Sequence, residues 1–93
     1  MSAKGARRMA RVASIGCILC HAKGLGYSEA EVHHLKEECG AGQRQSDALV
    51  IGLCTEHHRG GTGIHGLGRK AFDRTYNLTE LDLLGMVILA LEP

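Results

Sequence analysis

Large aromatic side chains are nearly missing from this chain: its 93 residues include no Trp, one Phe and two Tyr. Aromatic rings supply much of the buried area in small cores, and a chain this short buries only a modest fraction of its surface. A second source of stability is therefore needed. A secretory leader is missing too, because the apolar stretch from Val12 to Leu19 is short and is broken by Ser14, Gly16 and Cys17. That interruption argues against a signal peptide, and so against reading the four cysteines as a disulfide framework. Thiols kept reduced in a cytoplasm fit better. The apolar stretch Leu83–Leu91 falls far short of the roughly 20 residues that cross a bilayer, which predicts a buried or interface helix and no membrane anchor. Neither internal repeats nor low-complexity segments are visible, and 44% hydrophobic with 23% charged content describes one small globular domain.

Basic residues are missing from one end and acidic ones from the other. Lys4, Arg7, Arg8, Arg11 and Lys23 all precede the first acidic residue, Glu29, and nothing basic follows Arg74, although the formal net charge is only +1. Arg7, Arg8 and Arg11 are thus candidates for sequence-independent phosphate contacts with DNA. A solvated helix face would carry the same charges.

What the chain does have is metal-binding side chains in a readable order: Cys17-x-x-Cys20, then His33-His34, then Cys54-x-x-His57-His58, then His65. Two ligand pairs with this spacing suit one tetrahedral zinc, and Cys17, Cys20, Cys54 and His57 are the candidate set. His58 or Cys39 is an alternative fourth ligand. In a small domain such an ion contributes about 10–16 kcal/mol of apparent binding energy to folding, which meets the need for a second source of stability. His33, His34, His58 and His65 are then left over. A structural zinc has no use for them, so they point to a working site. Cys39 and His21 read as spectators.

Two other chemistries are excluded by absent patterns. A redox Cys-x-x-Cys of the thioredoxin kind sits within a βαβ pattern that this chain lacks. A zinc deaminase needs His-x-Glu and Pro-Cys-x-x-Cys, and neither occurs.

Residues 6–14 predict a short basic helix, with Met9, Val12 and Ala13 at helical spacing. Lys23 to Tyr27 read as a loop, Glu31 to Leu35 as a strand, Cys39 to Asp47 as a polar loop and Ala48 to Leu53 as a second strand pairing with the first. Thr55 is the expected N-cap of a turn carrying His57 and His58, stopped by Gly60, Gly61 and Gly63. A helix over roughly residues 67–76 closes at Asn77, and Thr79 caps a last helix. Leu81, Leu84, Ile88 and Leu91 are expected to line its buried face, widened by Leu83, Val87 and Ala90. That face is core or the seam of a homodimer. The fold class is therefore α+β in a single domain, with a basic helix or tail over 1–15, a zinc-stapled core over 16–65 and covering helices over 66–93.

This order of elements and ligands resembles the HNH (His-Me finger, ββα-metal) endonucleases in their zinc-stapled form. The phrases Gly16-Cys17-Ile18-Leu19-Cys20, Val32-His33-His34-Leu35, Gly42-Gln43-Arg44-Gln45-Ser46-Asp47 and Leu53-Cys54-x-x-His57-His58, followed by a Gly-rich link to Ile64-His65, resemble most closely the phage Ref family of RecA-dependent, recombination-enhancing nucleases. The resemblance spans about residues 6–91. It implies metal-dependent hydrolysis of a DNA phosphodiester, with His34 as general base and an active-site divalent metal on His33, His58 and His65. Magnesium or manganese is the implied ion, with zinc an alternative. Also implied are phage or prophage origin, the cytoplasm of a bacterial host, and a RecA filament as partner. Two departures stand out. The middle Asn of the HNH signature is absent, leaving Asp47 to orient His34, and Thr62 stands where simpler relatives carry their last His, with His65 three residues later. Arg44 is a candidate phosphate contact, against a solvated loop residue. The rival function is a zinc-stabilised module that binds DNA or protein without cutting.

Overall fold

The computed structural model describes residues 3–35 and 48–92. Helix α1 (Ala3–Ile15) leads to a short helix α2 (Ile18–Ala22), strands β1 (Glu31–His34) and β2 (Val50–Leu53), then helices α3 (Thr55–Arg59), α4 (Ile64–Leu67), α5 (Arg69–Tyr76) and α6 (Glu80–Leu91). The two strands form an antiparallel pair in which Glu31 faces Leu53, Val32 faces Gly52, His33 faces Ile51 and His34 faces Val50. The fold is thus the expected α+β class. Cys39, Arg44 and Asp47 lie outside the described residues.

Pairing fixes what each face of the hairpin carries, because side chains alternate along a strand and opposed residues share a face. Glu31, His33, Ile51 and Leu53 share one face; Val32, His34, Val50 and Gly52 share the other. A Cβ on Gly52 would lie 2.8 Å from the Gly16 carbonyl oxygen and 3.4 Å from that of Val12, so the second face is covered by the end of α1. All four residues of β2 are buried. Around it close Val12, Ile18, Leu19, Leu35, Phe72, Leu83 and Val87, each at most 1% exposed, so the single Phe of the chain is spent at the centre of an aliphatic core.

The basic helix does more than display charge. One Nη of Arg8 donates to the Ala48 carbonyl at 3.1 Å and one of Arg11 to the Leu91 carbonyl at 2.9 Å. Two of its arginines therefore tie α1 to the approach to β2 and to the end of α6.

Several boundaries differ from the sequence reading, each for a local reason. Residues 18–22 are helical, since the Cys17 Sγ accepts the Cys20 N–H and starts a turn. The N-cap of α3 is Cys54 and Thr55 is already helical. The helix expected over 67–76 is split into α4 and α5 at Gly68, whose φ is +84°. Asn77 does close α5 in the left-handed region (φ 56°), and Thr79 does cap α6, sharing a capping box with Asp82. On α6, however, Leu81 and Ile88 are 40% and 46% exposed, and the buried residues are Glu80, Leu83, Leu84 and Val87. The inward stripe begins one residue earlier than expected because it begins on a charge. Among the described residues, no helix is long and apolar enough to cross a membrane.

Gly16 joins α1 to the first Cys pair with φ +90°, and a Cβ there would lie 2.7 Å from the Ser28 carbonyl oxygen. Gly24 also has positive φ (+71°) but nothing within 4 Å of a Cβ. Gly16→Ala should therefore cost about 1–3 kcal/mol in backbone strain plus the clash, and Gly24→Ala the strain alone. Urea denaturation of the two variants checks this; equal losses would show that the turn at Gly16 relaxes freely.

Candidate metal centre

Among the described residues there are two clusters of metal-binding groups. In the first, Cys17, Cys20, Cys54 and His57 bring their ligand atoms within 4.8 Å of one another. Both ligand pairs sit where a strand or loop turns into a helix. Cys17 caps α2, its own N–H donating to the Ser28 carbonyl at 2.9 Å, and Cys54 caps α3 with His57 one turn later. The Nδ1 of His57 is 3.5 Å from the Sγ of Cys17, 3.5 Å from that of Cys20 and 3.3 Å from that of Cys54, and the Cys20 and Cys54 sulfurs are 3.9 Å apart. Tetrahedral zinc, with bonds of about 2.3 Å to sulfur and 2.0–2.1 Å to nitrogen, spaces its ligands about 3.6 Å (S to N) and 3.8 Å (S to S) apart. The observed edges match that figure, and the sulfurs are far beyond disulfide distance.

The charge states fit as well. Burial pushes the Cys17 thiol up to about 12, so without a cation it stays protonated, and a bound divalent ion reverses that preference. Burial also holds His57 below the ordinary histidine range, which keeps the ring neutral and its lone pair available. The ring of Tyr76 packs edge-on against His57, with centroids 5.3 Å apart, while the Tyr76 hydroxyl donates to the Thr62 carbonyl at 2.7 Å.

The second cluster holds His33, His58 and His65. His58 follows His57 on α3 and points the other way, toward the His33 face of β1. The ring centroids of His33 lie 5.1 Å from those of His58 and 5.2 Å from those of His65, and the Nε2 atoms of His58 and His65 are 3.1 Å apart. A single ion would space two imidazole nitrogens about 3.3 Å apart. His65 is brought there by the Gly-rich link, since a Cβ on Gly66 would collide with the Gly60 carbonyl. Only a chain bare at that point can fold back so closely.

Two carboxylates stand behind these rings, and neither was foreseen from the sequence. Glu31 meets the Nδ1 of His58 at 2.8 Å and also receives Arg59, whose Nη2 donates at 2.7 Å. Those bonds, Arg59 first and His58 second, hold its carboxyl below the usual carboxylate range. An ionised carboxylate only accepts, so His58 donates to it from Nδ1, and Nε2 is the atom turned to His65. Strand alternation could have found Glu31, two residues before His33 on the same face. Glu80, 2.6 Å from the Nε2 of His33, had no such signal.

The expected site residues distribute as follows. His33, His58 and His65 converge, and His33 and His65 line a cleft of about 230 Å³ together with Ile64, Gly68, Arg69 and Glu80. His34 is half-buried on the opposite face of β1 from His33, paired with Val50. Arg7, Arg8 and Arg11 belong to α1, which covers that opposite face. Asp47 and Arg44 fall outside the described residues.

Adjacent residues on one short helix thus serve different clusters, and the variants should separate. His57→Ala is expected to lose zinc and melt at a markedly lower temperature, as would Cys54→Ser. His58→Ala should keep one zinc per chain and lose metal only at the second cluster. Elemental analysis with thermal melting checks this; a zinc-free His58→Ala beside a zinc-replete His57→Ala would reverse the assignment.

A profile of the family described as recombination enhancement, RecA-dependent nuclease matches residues 1–73, most of the chain and every cysteine and histidine named above. Neither the curated proteins nor the solved structures compared contain a match. By that profile match the chain belongs to the RecA-dependent nuclease family of recombination enhancement.

Proposed function

We propose that the protein is a metal-dependent DNA endonuclease of the HNH type, acting in phage recombination on DNA held by a RecA filament. One observation carries this reading: three imidazoles converge within reach of one ion, on a scaffold that already has a separate four-ligand staple. A binding module needs only the staple. The donor chemistry fits an ion, because three imidazoles giving one nitrogen each would leave coordination positions for oxygen.

His33, His58 and His65 would hold the cation. A divalent ion bound there neutralises charge on the scissile phosphate and on the departing 3′ oxygen. His34 takes a proton from the attacking water as the new P–O bond forms and the P–O3′ bond breaks. Because His34 and the triad occupy opposite faces of β1, the scissile phosphate would lie along the edge of that strand, where both can reach it. Asp47 would orient His34. Arg69 in the cleft wall, Arg44, and Arg7, Arg8 and Arg11 would contact flanking phosphates, with Arg8 and Arg11 also tying α1 to the fold.

His34→Ala should bind DNA and keep its structural zinc, yet cut 10²–10⁴ times more slowly, about the contribution of a positioned general base. The assay uses supercoiled and RecA-coated DNA with magnesium, manganese and zinc. Wild-type protein that cuts neither substrate in any of these ions is a binding module, and His34→Ala that cuts at the wild-type rate moves the base elsewhere, with His33 next.

A further inference from the structure

Glu80 is a carboxylate 1% exposed, on the first turn of α6, with one oxygen 2.6 Å from the Nε2 of a His33 that is itself 4% exposed. Burying a charge is expensive unless a partner repays it. An acid in a first helical turn ordinarily serves the helix end, but here that duty is met by others: Thr79 accepts the Asp82 N–H at 3.0 Å, and Asp82 accepts the Thr79 N–H at 2.9 Å. Glu80 is turned inward instead, and it lines the same cleft as His33 and His65. It also stands beyond residue 73, where the family profile match ends.

We infer that Glu80 is a positioning residue for the metal site, acting through His33. A carboxylate accepts, so the proton of the neutral ring sits on Nε2 and the lone pair is left on Nδ1. One contact thereby selects the tautomer and fixes the plane of the ring, as acids behind metal-binding histidines do. His58 receives the same service from Glu31. The triad is a pair of carboxylate-backed histidines, one buried and one half-buried, completed by the exposed His65 from the Gly-rich link. The inference rests on the reading of His33, His58 and His65 as a metal site.

The test is a cobalt titration of zinc-loaded, chelator-washed protein. Zinc in the thiolate site is spectroscopically silent there, so added cobalt reports the histidine site through its d–d bands. Wild type should bind one cobalt without thiolate charge-transfer absorption. Glu80→Gln, which keeps an acceptor of the same shape, should bind about tenfold more weakly, and Glu80→Ala toward a hundredfold. In both, zinc content should stay at one per chain, and histidine ¹⁵N shifts should show His33 losing its preference for the Nε2–H tautomer, more so in Glu80→Ala. If Glu80→Ala does not fold, Glu80→Gln decides alone. Wild-type cobalt affinity and tautomer in Glu80→Gln would overturn the inference while leaving the metal site intact. A d–d spectrum altered in shape by Glu80→Gln would make Glu80 itself a ligand, which overturns it too. Failure of wild type to bind any cobalt at the histidines would overturn the site and the inference together.

Discussion

Everything at the site depends on the five residues of α3 and on the pair of sulfur-bearing turns that hold them. A helix turns by 100° per residue, so neighbouring side chains diverge. His57 and His58 therefore cannot serve the same ion, and the fold uses that divergence to set two clusters back to back. Once Cys17, Cys20 and Cys54 gather around His57, the direction of His58 is fixed with no further adjustment. The histidine of the second cluster is aimed by that of the first.

The same arrangement explains how a chain with so few aromatics holds precise geometry. A helix of five residues is not stable alone, and α3 has no fully buried residue with which to anchor itself. What it has is the ligand set at its N-terminus, the Tyr76 ring against His57, and Glu56, whose carboxylate accepts the Thr62 N–H at 2.9 Å and so closes the turn that follows. With an ion held by that set, metal binding and local folding would be one process. Loss of the ion would release α3, and with it His58 and the link that delivers His65.

How much of this could be read in the sequence depends on the range of the interaction. The ligand pairs were legible because Cys-x-x-Cys and Cys-x-x-His are local patterns whose two members can reach one ion from a single turn. The hairpin followed from two short strand-like segments, Glu31 to Leu35 and Ala48 to Leu53, around a polar loop, and the division between His57 and His58 from their adjacency. The rotation of α6 was not legible, because its apolar residues run almost around the helix and a pattern reading places the charged Glu80 outside. The contact with His33, 47 residues away in sequence, turns Glu80 inward together with Leu83, Leu84 and Val87. Likewise Arg8 and Arg11 look like free phosphate contacts until the carbonyls of Ala48 and Leu91 are seen to receive them.

The placement of acids around the histidines also bears on how a polyanion could approach. Carboxylates sharpen histidine ligands but repel phosphates, so a nuclease site must hide the charges it uses. Glu31, at the surface, is covered by Arg59, which donates to both of its oxygens at 3.1 Å or less. Glu80, 1% exposed, is hidden by burial behind His33. The open side of the cleft is left with His65 and Arg69. Proposed to act from behind the rings, the two acids would leave the described part of the cleft open to a phosphate approaching an ion on His33, His58 and His65.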